Sequence, residues 1–291
     1  MATLKDIQRR IKSVKNTQQI TKAMKMVSAA KLRRAQEEIV AARPYADKIS
    51  DIVASLSENV KHVTHPLLNK GKTGKVELII LTSDRGLCGG FNSNILRAAE
   101  RFINENPELE VSVNTIGRRS VDYFKRRTYN VTGQRPLGTK RPEYSLAETV
   151  GREVIDNYTN DISDETYIIY GEFISAMTQE TVVKKLLPVV TEDEEKESEE
   201  KSAMDGGFLF EPDEEGVLDS LLPKYVEVQI FRAILESSAS EHGARMTAME
   251  SASRNASDMI DKLTLIYNRA RQAAITKELM EIIGGAEALK G

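Results

Sequence analysis

From Lys224 to Ile283 the chain holds no proline and a single glycine, Gly243. Across that span Phe231, Leu235, Ala239, His242, Met246, Met249, Ser253, Ala256, Ile260, Leu263, Tyr267, Ala270 and Ala274 recur in steps of three and four. Such steps form a heptad seam, so the sequence predicts one helix of roughly 60 residues carrying an apolar stripe. Gly284-Gly285 is the expected stop, because glycine readily takes the left-handed conformation that favours a helix end.

The other end of the chain repeats the pattern. Ile7, Ile11, Val14, Gln18, Thr21, Lys25, Ser28, Leu32, Ala35, Ile39, Ala42, Ala46, Ile49, Val53, Leu56, Val60 and Val63 keep the same spacing, with no glycine before Gly71. Pro44 is expected to open or kink this helix locally. At 1.5 Å per residue each helix would run roughly 90 Å, about three small-domain diameters. Two such helices with matching seams pair most simply as an antiparallel coiled coil. Their seams are weak, however. Ala, Ser and Met dominate one, and the other turns polar at Gln18, Thr21, Lys25 and Ser28. Small residues bury little area and stabilise little, which points to surroundings that supply the missing contacts.

Between the ends lies an alternating pattern. KVELIILTSD (75–84), LEVSVNTIG (109–117), ETYIIYGEFISAM (165–177) and TVVKKLLPVV (181–190) read as strands, the last two as a pair. Asn92–Asn104, RRSVDYFKRR (118–127) and Ser145–Asn157 read as helices. Alternation of this kind predicts a small, partly parallel sheet with helices packed on it. The fold class is therefore α/β: a long coiled coil of the terminal helices plus a small Rossmann-like domain. The expected division is a first helix over 1–63, an α/β domain over 75–207 and a lead-in with the last helix over 208–291. The acidic stretch 191–207 reads as a loop between sheet and helix.

Charge is distributed unevenly. The 41 Lys and Arg against 44 Asp and Glu leave a net charge of −3. Residues 1–36 nevertheless carry ten basic side chains, from Lys5 to Arg34, against Asp6 alone. The acidic residues cluster between Glu192 and Glu215. A basic end calls for an acidic partner, nucleic acid or protein. The single cysteine, Cys88, excludes an internal disulfide framework and fits a reducing compartment. No apolar run reaches membrane-spanning length. The N-terminus lacks a secretory core, and its apolar spacing runs straight on into the long helix rather than ending as a transit peptide.

Each candidate chemical motif also has a purely structural reading. NKGKTGK (69–75) suggests a phosphate-binding loop, but Pro66 stands where the first required glycine belongs, and the segment precedes a strand. SDRGLCGGFN (83–92) does follow a strand and open a helix, where a sheet presents ligands. Its glycine spacing is wrong for a dinucleotide, so a tight turn capped by Asn92 is the expectation. His62 and His65 lack further metal ligands nearby. His242 falls in the seam, and Cys88 has no companion for nucleophilic work. No catalytic group, metal or cofactor is expected. One remaining alternative is a coiled-coil protein that binds nucleic acid or tethers partners.

The sequence also resembles a known family. ITKELMEIIGGAEAL (275–289) is similar to the C-terminal signature of ATP synthase γ subunits, with Ile275, Thr276, Glu278, Glu281, Gly285, Ala286 and Ala288 at the family's spacing. The likeness extends in order through SEHGARMTAMESASRNA (240–256), FLFEPD (208–213), SDRGLCGGFN and RRIKSVKNTQQITKAMKMVSAAKLRRAQ (9–36). The resemblance implies a rotor shaft that passes through a ring of α and β subunits and meets the ε subunit and the c-ring at its foot. Nucleotide chemistry would belong to those partners. It further implies that Met24, Lys25, Arg245, Gln272, Thr276 and Glu278 contact the α/β ring, and that Phe210 and Glu211 lie in the region meeting the c-ring. The plastid-type regulatory cysteine pair is missing, so a bacterial source and a place at the cytoplasmic face of the membrane are expected.

Overall fold

A computed structural model of the chain describes residues 3–59, 65–68, 74–138, 141–189 and 214–288. The acidic stretch 191–207, Phe210, Glu211, His62 and most of the phosphate-loop lookalike lie outside the described residues. Two compact units share the chain: Ala29–Arg245, and Met1–Ser28 with Met246–Gly291.

The N-terminal spacing becomes helix α1, Leu4–Asn59, which continues through Pro44. Every seam position from Ile7 to Leu56 is buried or half-buried. The C-terminal spacing becomes α5, Glu214–Ala288, and its seam positions from Phe231 to Ala274 are likewise buried or half-buried. Both ends of α5 differ from expectation. It begins ten residues before Lys224 and carries Pro223 in its interior. Leu218 and Leu222, beside that proline, are fully buried. At about 1.5–3 kcal/mol each, they offset the roughly 3 kcal/mol that an interior proline costs. At the far end the helix runs on through Gly284 and Gly285, neither of which adopts positive φ. A glycine lowers helix stability by only about 1 kcal/mol relative to alanine, so the pair permits a stop without enforcing one.

Within Ala29–Arg245 five strands form one sheet in the order β3-β2-β1-β4-β5. They are β1 (Lys75–Leu81), β2 (Glu110–Ile116), β3 (Asn130–Arg135), β4 (Glu165–Phe173) and β5 (Gln179–Leu187). The first four pair in parallel, and β4 with β5 is antiparallel. Helices α2 (Phe91–Glu105), α3 (Arg118–Phe124) and α4 (Tyr144–Thr159) supply the crossovers. Strand alternation sorts the core into two layers. Leu78, Ile80, Val113 and Ile169 face α2 and α3 through Ile95, Ala99 and Phe124. Ile79, Leu81, Ile116 and Ile168 cluster with Val150 and Val154 of α4 and with Leu222, Val226 and Ile230 of α5. Strand β3 was not expected from the sequence. It is a polar edge strand, NVTGQR, paired only with β2.

In this unit α1 and α5 run antiparallel. Ala46 and Ile49 cluster with Val228, and Ser50 lies within hydrogen-bond reach of Gln229. Earlier on α1, Ile39 and Ala42 border the same cavity as Phe231 and Leu235, later on α5. In the other unit Lys25 forms an ion pair with Glu250.

Candidate functional site

Strand β1 lies between two parallel neighbours, and the chain leaves for opposite sides of it: α2 leads to β2, α4 to β4. The crevice beyond the carboxyl ends of β1 and β4 is thus the topological switch point, where open α/β sheets bind ligands. Here that crevice is occupied by the protein's own helix. A side chain on Gly171, near the end of β4, would stand 3.3 Å from Ser240 of α5 and 2.7 Å from the Phe91 ring. A Cβ on Gly243 would meet Gln179 at 3.2 Å and the Ala176 carbonyl oxygen at 3.3 Å.

Arg245 closes the arrangement. Its Nη1 donates to Glu241 Oε1 at 2.6 Å, and its Nη2 donates to the carbonyls of Arg85 and Gly86 at 3.3 and 3.2 Å. The guanidinium is thereby tied to the turn after β1, and Arg245 is only 8% exposed. The turn is braced from within as well. Asn92 does not cap α2. Its Oδ1 accepts from the Ser83 N–H at 2.9 Å, its Nδ2 donates to Ser83 Oγ at 2.9 Å, and the cap position is Gly90 with no side-chain bond. A residue at the second helical position points back toward the strand it has just left, which explains the difference. Asp84 gathers three backbone donors, Arg118 N and Leu137 N on Oδ1 and Gly138 N on Oδ2. Leu87 takes φ +62° and stays exposed.

Electrostatics follow from this packing. Burial pushes the Glu241 carboxyl above its usual range, while Arg245 and then Lys31 pull it down. His242 is held at about 4, first by burial and then by the Arg245 and Lys31 charges, so it is neutral at pH 7. His65 has its pKa lowered by burial despite Asp219, and its Nδ1 accepts the Leu67 N–H at 3.1 Å. Among the described residues no group of three or more His, Cys, Asp or Glu is placed to hold a metal. Among them also, no helix is long and apolar enough to cross a membrane.

The other residues singled out from the sequence sit in the second unit. Met24 is half-buried, Lys25 is paired with Glu250, and Gln272, Thr276 and Glu278 are exposed. Ile275, Leu279, Met280, Ile282 and Ile283 are exposed beside them, an apolar concentration at the end of α5. The structure therefore groups Met24 and Lys25 with Gln272, Thr276 and Glu278 in one unit and places Arg245 in the other. The attachment of Arg245 to the Arg85–Gly86 carbonyls went unread in the sequence. The available signal was a Glu-x-x-x-Arg pair inside the helical stretch that is otherwise most buried.

Comparison with known proteins decides the kinship. A family model described as ATP synthase matches residues 3–289. A relative from Geotalea uraniireducens, named ATP synthase gamma chain, is 54% identical over the full length of both chains. The chain belongs to the ATP synthase gamma chain family. A gamma chain from Geobacter metallireducens is 52% identical, again over the whole of both chains. Among solved structures, a chain of the Euglena gracilis mitochondrial ATP synthase (OSCP, F1 and c-ring) has the same fold. Its TM-score is 0.68 at 20% identity, covering 98% of this chain and 94% of that one. A chain of the Tetrahymena thermophila mitochondrial central stalk and c-ring matches with TM-score 0.60 at 24% identity, covering 80% and 99% respectively.

Proposed function

We propose that this gamma chain is the central rotor shaft of an F-type ATP synthase. It couples proton-driven rotation of the c-ring to ATP synthesis or hydrolysis at β-subunit sites of an α3β3 ring. Full-length identity of 54% to a named gamma chain carries this reading. The chain itself is a non-catalytic subunit, because the crevice where its sheet would bind nucleotide is filled by Ser240–Arg245. The complex places it peripherally at the cytoplasmic face of a bacterial membrane, with membrane contact made through the c-ring.

The division of labour follows the sequence reading. Segment 1–63 is assigned to the shaft through α1, segment 208–291 to the shaft through a lead-in and α5, and segment 75–207 to the foot. Met24, Lys25, Gln272, Thr276 and Glu278 contact the α/β ring, and Arg245 serves the same contact through the turn it holds. Phe210 and Glu211 belong to the surface for the c-ring, with ε beside it. The exposed apolar end of α5 needs a sheath, which the ring supplies, and the exposed basic side chains of α1 face acidic loops of β. An asymmetric shaft inside a threefold ring biases three equivalent sites toward different states. Its leverage is the difference in contact free energy between those states.

Co-expression with α and β subunits tests the proposal. The expected product is a stoichiometric complex whose ATP hydrolysis turns a bead fixed to this chain. Micromolar ATP binding by the chain alone would overturn the non-catalytic assignment. Retention on DNA with a steep salt dependence, and no complex with α and β, would overturn the shaft assignment.

A further inference from the structure

Just before β1 the segment 65–68 ties several elements of Ala29–Arg245 together. His65 is 9% exposed, and its Nδ1 accepts the Leu67 N–H at 3.1 Å across Pro66. The ring closes a turn as an Asx side chain does, by bonding the backbone two residues on. A neutral imidazole that accepts through Nδ1 carries its proton on Nε2, which stands 3.2 Å from Asp219 Oδ1 on α5. Leu67 is what the turn holds in place. Its side chain is 2% exposed and shares a core cluster with Val53 and Leu56 of α1, Leu187 of β5, and Leu218 and Leu222 of α5. Its carbonyl accepts the Val189 N–H at 2.8 Å. One imidazole thus fixes a residue packed among both long helices and β5.

We propose that His65 is an acid-released latch: a proton taken up at Nδ1 turns that acceptor into a second donor, sets it against the Leu67 N–H and opens the turn. In the neutral ring Nδ1 offers a lone pair to that N–H, whereas in the imidazolium both nitrogens donate. The protonated ring keeps Asp219 alone as its partner, and that carboxylate is 66% exposed, so solvent screens the attraction. Burial is the largest influence on His65 and lowers its pKa, while Asp219 opposes it with a smaller effect. The latch therefore holds at neutral pH. Its contribution is complete above about 6.5 and is lost as pH falls through the lowered folded value. Among the described residues no other charged group acts on the ring. Tyr158 of α4, in the same core cluster, stays neutral because burial raises its pKa. The joint between the long helices and the sheet thus has a stiffness that depends on pH, with no ligand needed.

Amide hydrogen exchange on the full chain between about pH 7.5 and 4.5 tests this, with each rate divided into its intrinsic value at that pH. Protection of Leu67 is expected to fall about tenfold along a single titration, the effect of losing one hydrogen bond and stranding its donor. Val189 should follow, while Ile79 and Ile80 in the middle of the sheet keep their protection. His65→Asn retains an acceptor for the Leu67 N–H but cannot titrate, so its Leu67 protection should stay level across the range. Asp219→Asn removes the influence that raises the His65 pKa and should move the release to lower pH. Level protection of Leu67 in the wild type overturns the proposal. So does an equal fall in His65→Asn, or a fall at Ile79 and Ile80 of the same size, which would make the release global rather than a property of this turn.

Discussion

Arg245→Ala removes the guanidinium that joins α5 to the turn after β1. Three acceptors lose their donor: Glu241 Oε1 and the carbonyls of Arg85 and Gly86. Side-chain exposures of 10% and 12% for Arg245 and Glu241 leave little solvent to replace it. Breaking a buried ion pair from one side costs about 3–5 kcal/mol, and the residual exposure argues for the lower end, about 3 kcal/mol. For a body the size of residues 29–245 that corresponds to a loss of roughly 6–12 °C in Tm. The loss has a definite pH dependence. The Glu241 pKa is already raised in the folded chain, so its stabilising contribution is full below the unfolded value and disappears as pH rises through the folded one. Without Arg245 that folded value rises further, so the deficit is greatest near pH 8 and shrinks toward pH 5. His242 acts in the same sense, since Arg245 helps to depress its pKa. Thermal unfolding of the wild type, Arg245→Ala, Glu241→Gln and the double variant at both pH values measures the effect, with hydrogen exchange at Arg85–Gly90 locating it. The double variant should recover at least half of the loss, because the stranded charge is gone. A deficit under about 1 kcal/mol at both pH values, with no rescue by Glu241→Gln, would refute the reasoning.

Three further outcomes are expected. Gly117 has φ +99°, and a Cβ there would overlap the Thr82 carbonyl oxygen. Gly117→Ala should therefore cost about 3 kcal/mol or more, read as lost soluble yield or a lowered denaturation midpoint. His242, held at about 4 against an ordinary 6.5, contributes stability above pH 6.5 that is lost as pH falls toward 4, roughly 3 kcal/mol in all. In a Glu241→Gln background, which removes the opposing titration, His242→Gln should flatten that acid limb of the stability curve. Deleting the residues after Gln272 removes the half-buried Ala274 and the exposed side chains from Ile275 to Ala286 of α5. The main unfolding transition and assembly with α and β should survive, while torque transmission in a rotation assay falls; failure of the complex to assemble would show that this segment mainly holds the complex together.

The two long helices were legible in the sequence because a seam needs only regular spacing, and spacing survives weak side chains. Gln18, Thr21, Lys25 and Ser28 looked like defects in a hydrophobic stripe, yet each is buried or half-buried where the period puts it. Helix ends were less legible, since they depend on what surrounds them. Pro223 reads as a breaker until Leu218 and Leu222 are seen in the core, and Gly284-Gly285 reads as a stop although the helix continues. Strand β3 was missed because an edge strand with one neighbour needs little apolar content; Gly133 and Gln134 hide it among turn residues. The crevice was the hardest to see. SDRGLCGGFN has the position of a ligand loop and fails as one by its glycine spacing, but the sequence offers no sign that a helix more than 150 residues later fills the space. Arg245 and Glu241 are what such a filling requires: a polar pair, buried in a helix, whose donors serve the turn carbonyls that a bound ligand would otherwise approach. An α/β sheet built in this way presents its switch point to its own chain. A movement of Ser240–Arg245 would therefore be felt directly at Arg85 and Gly86, without any bound nucleotide between them.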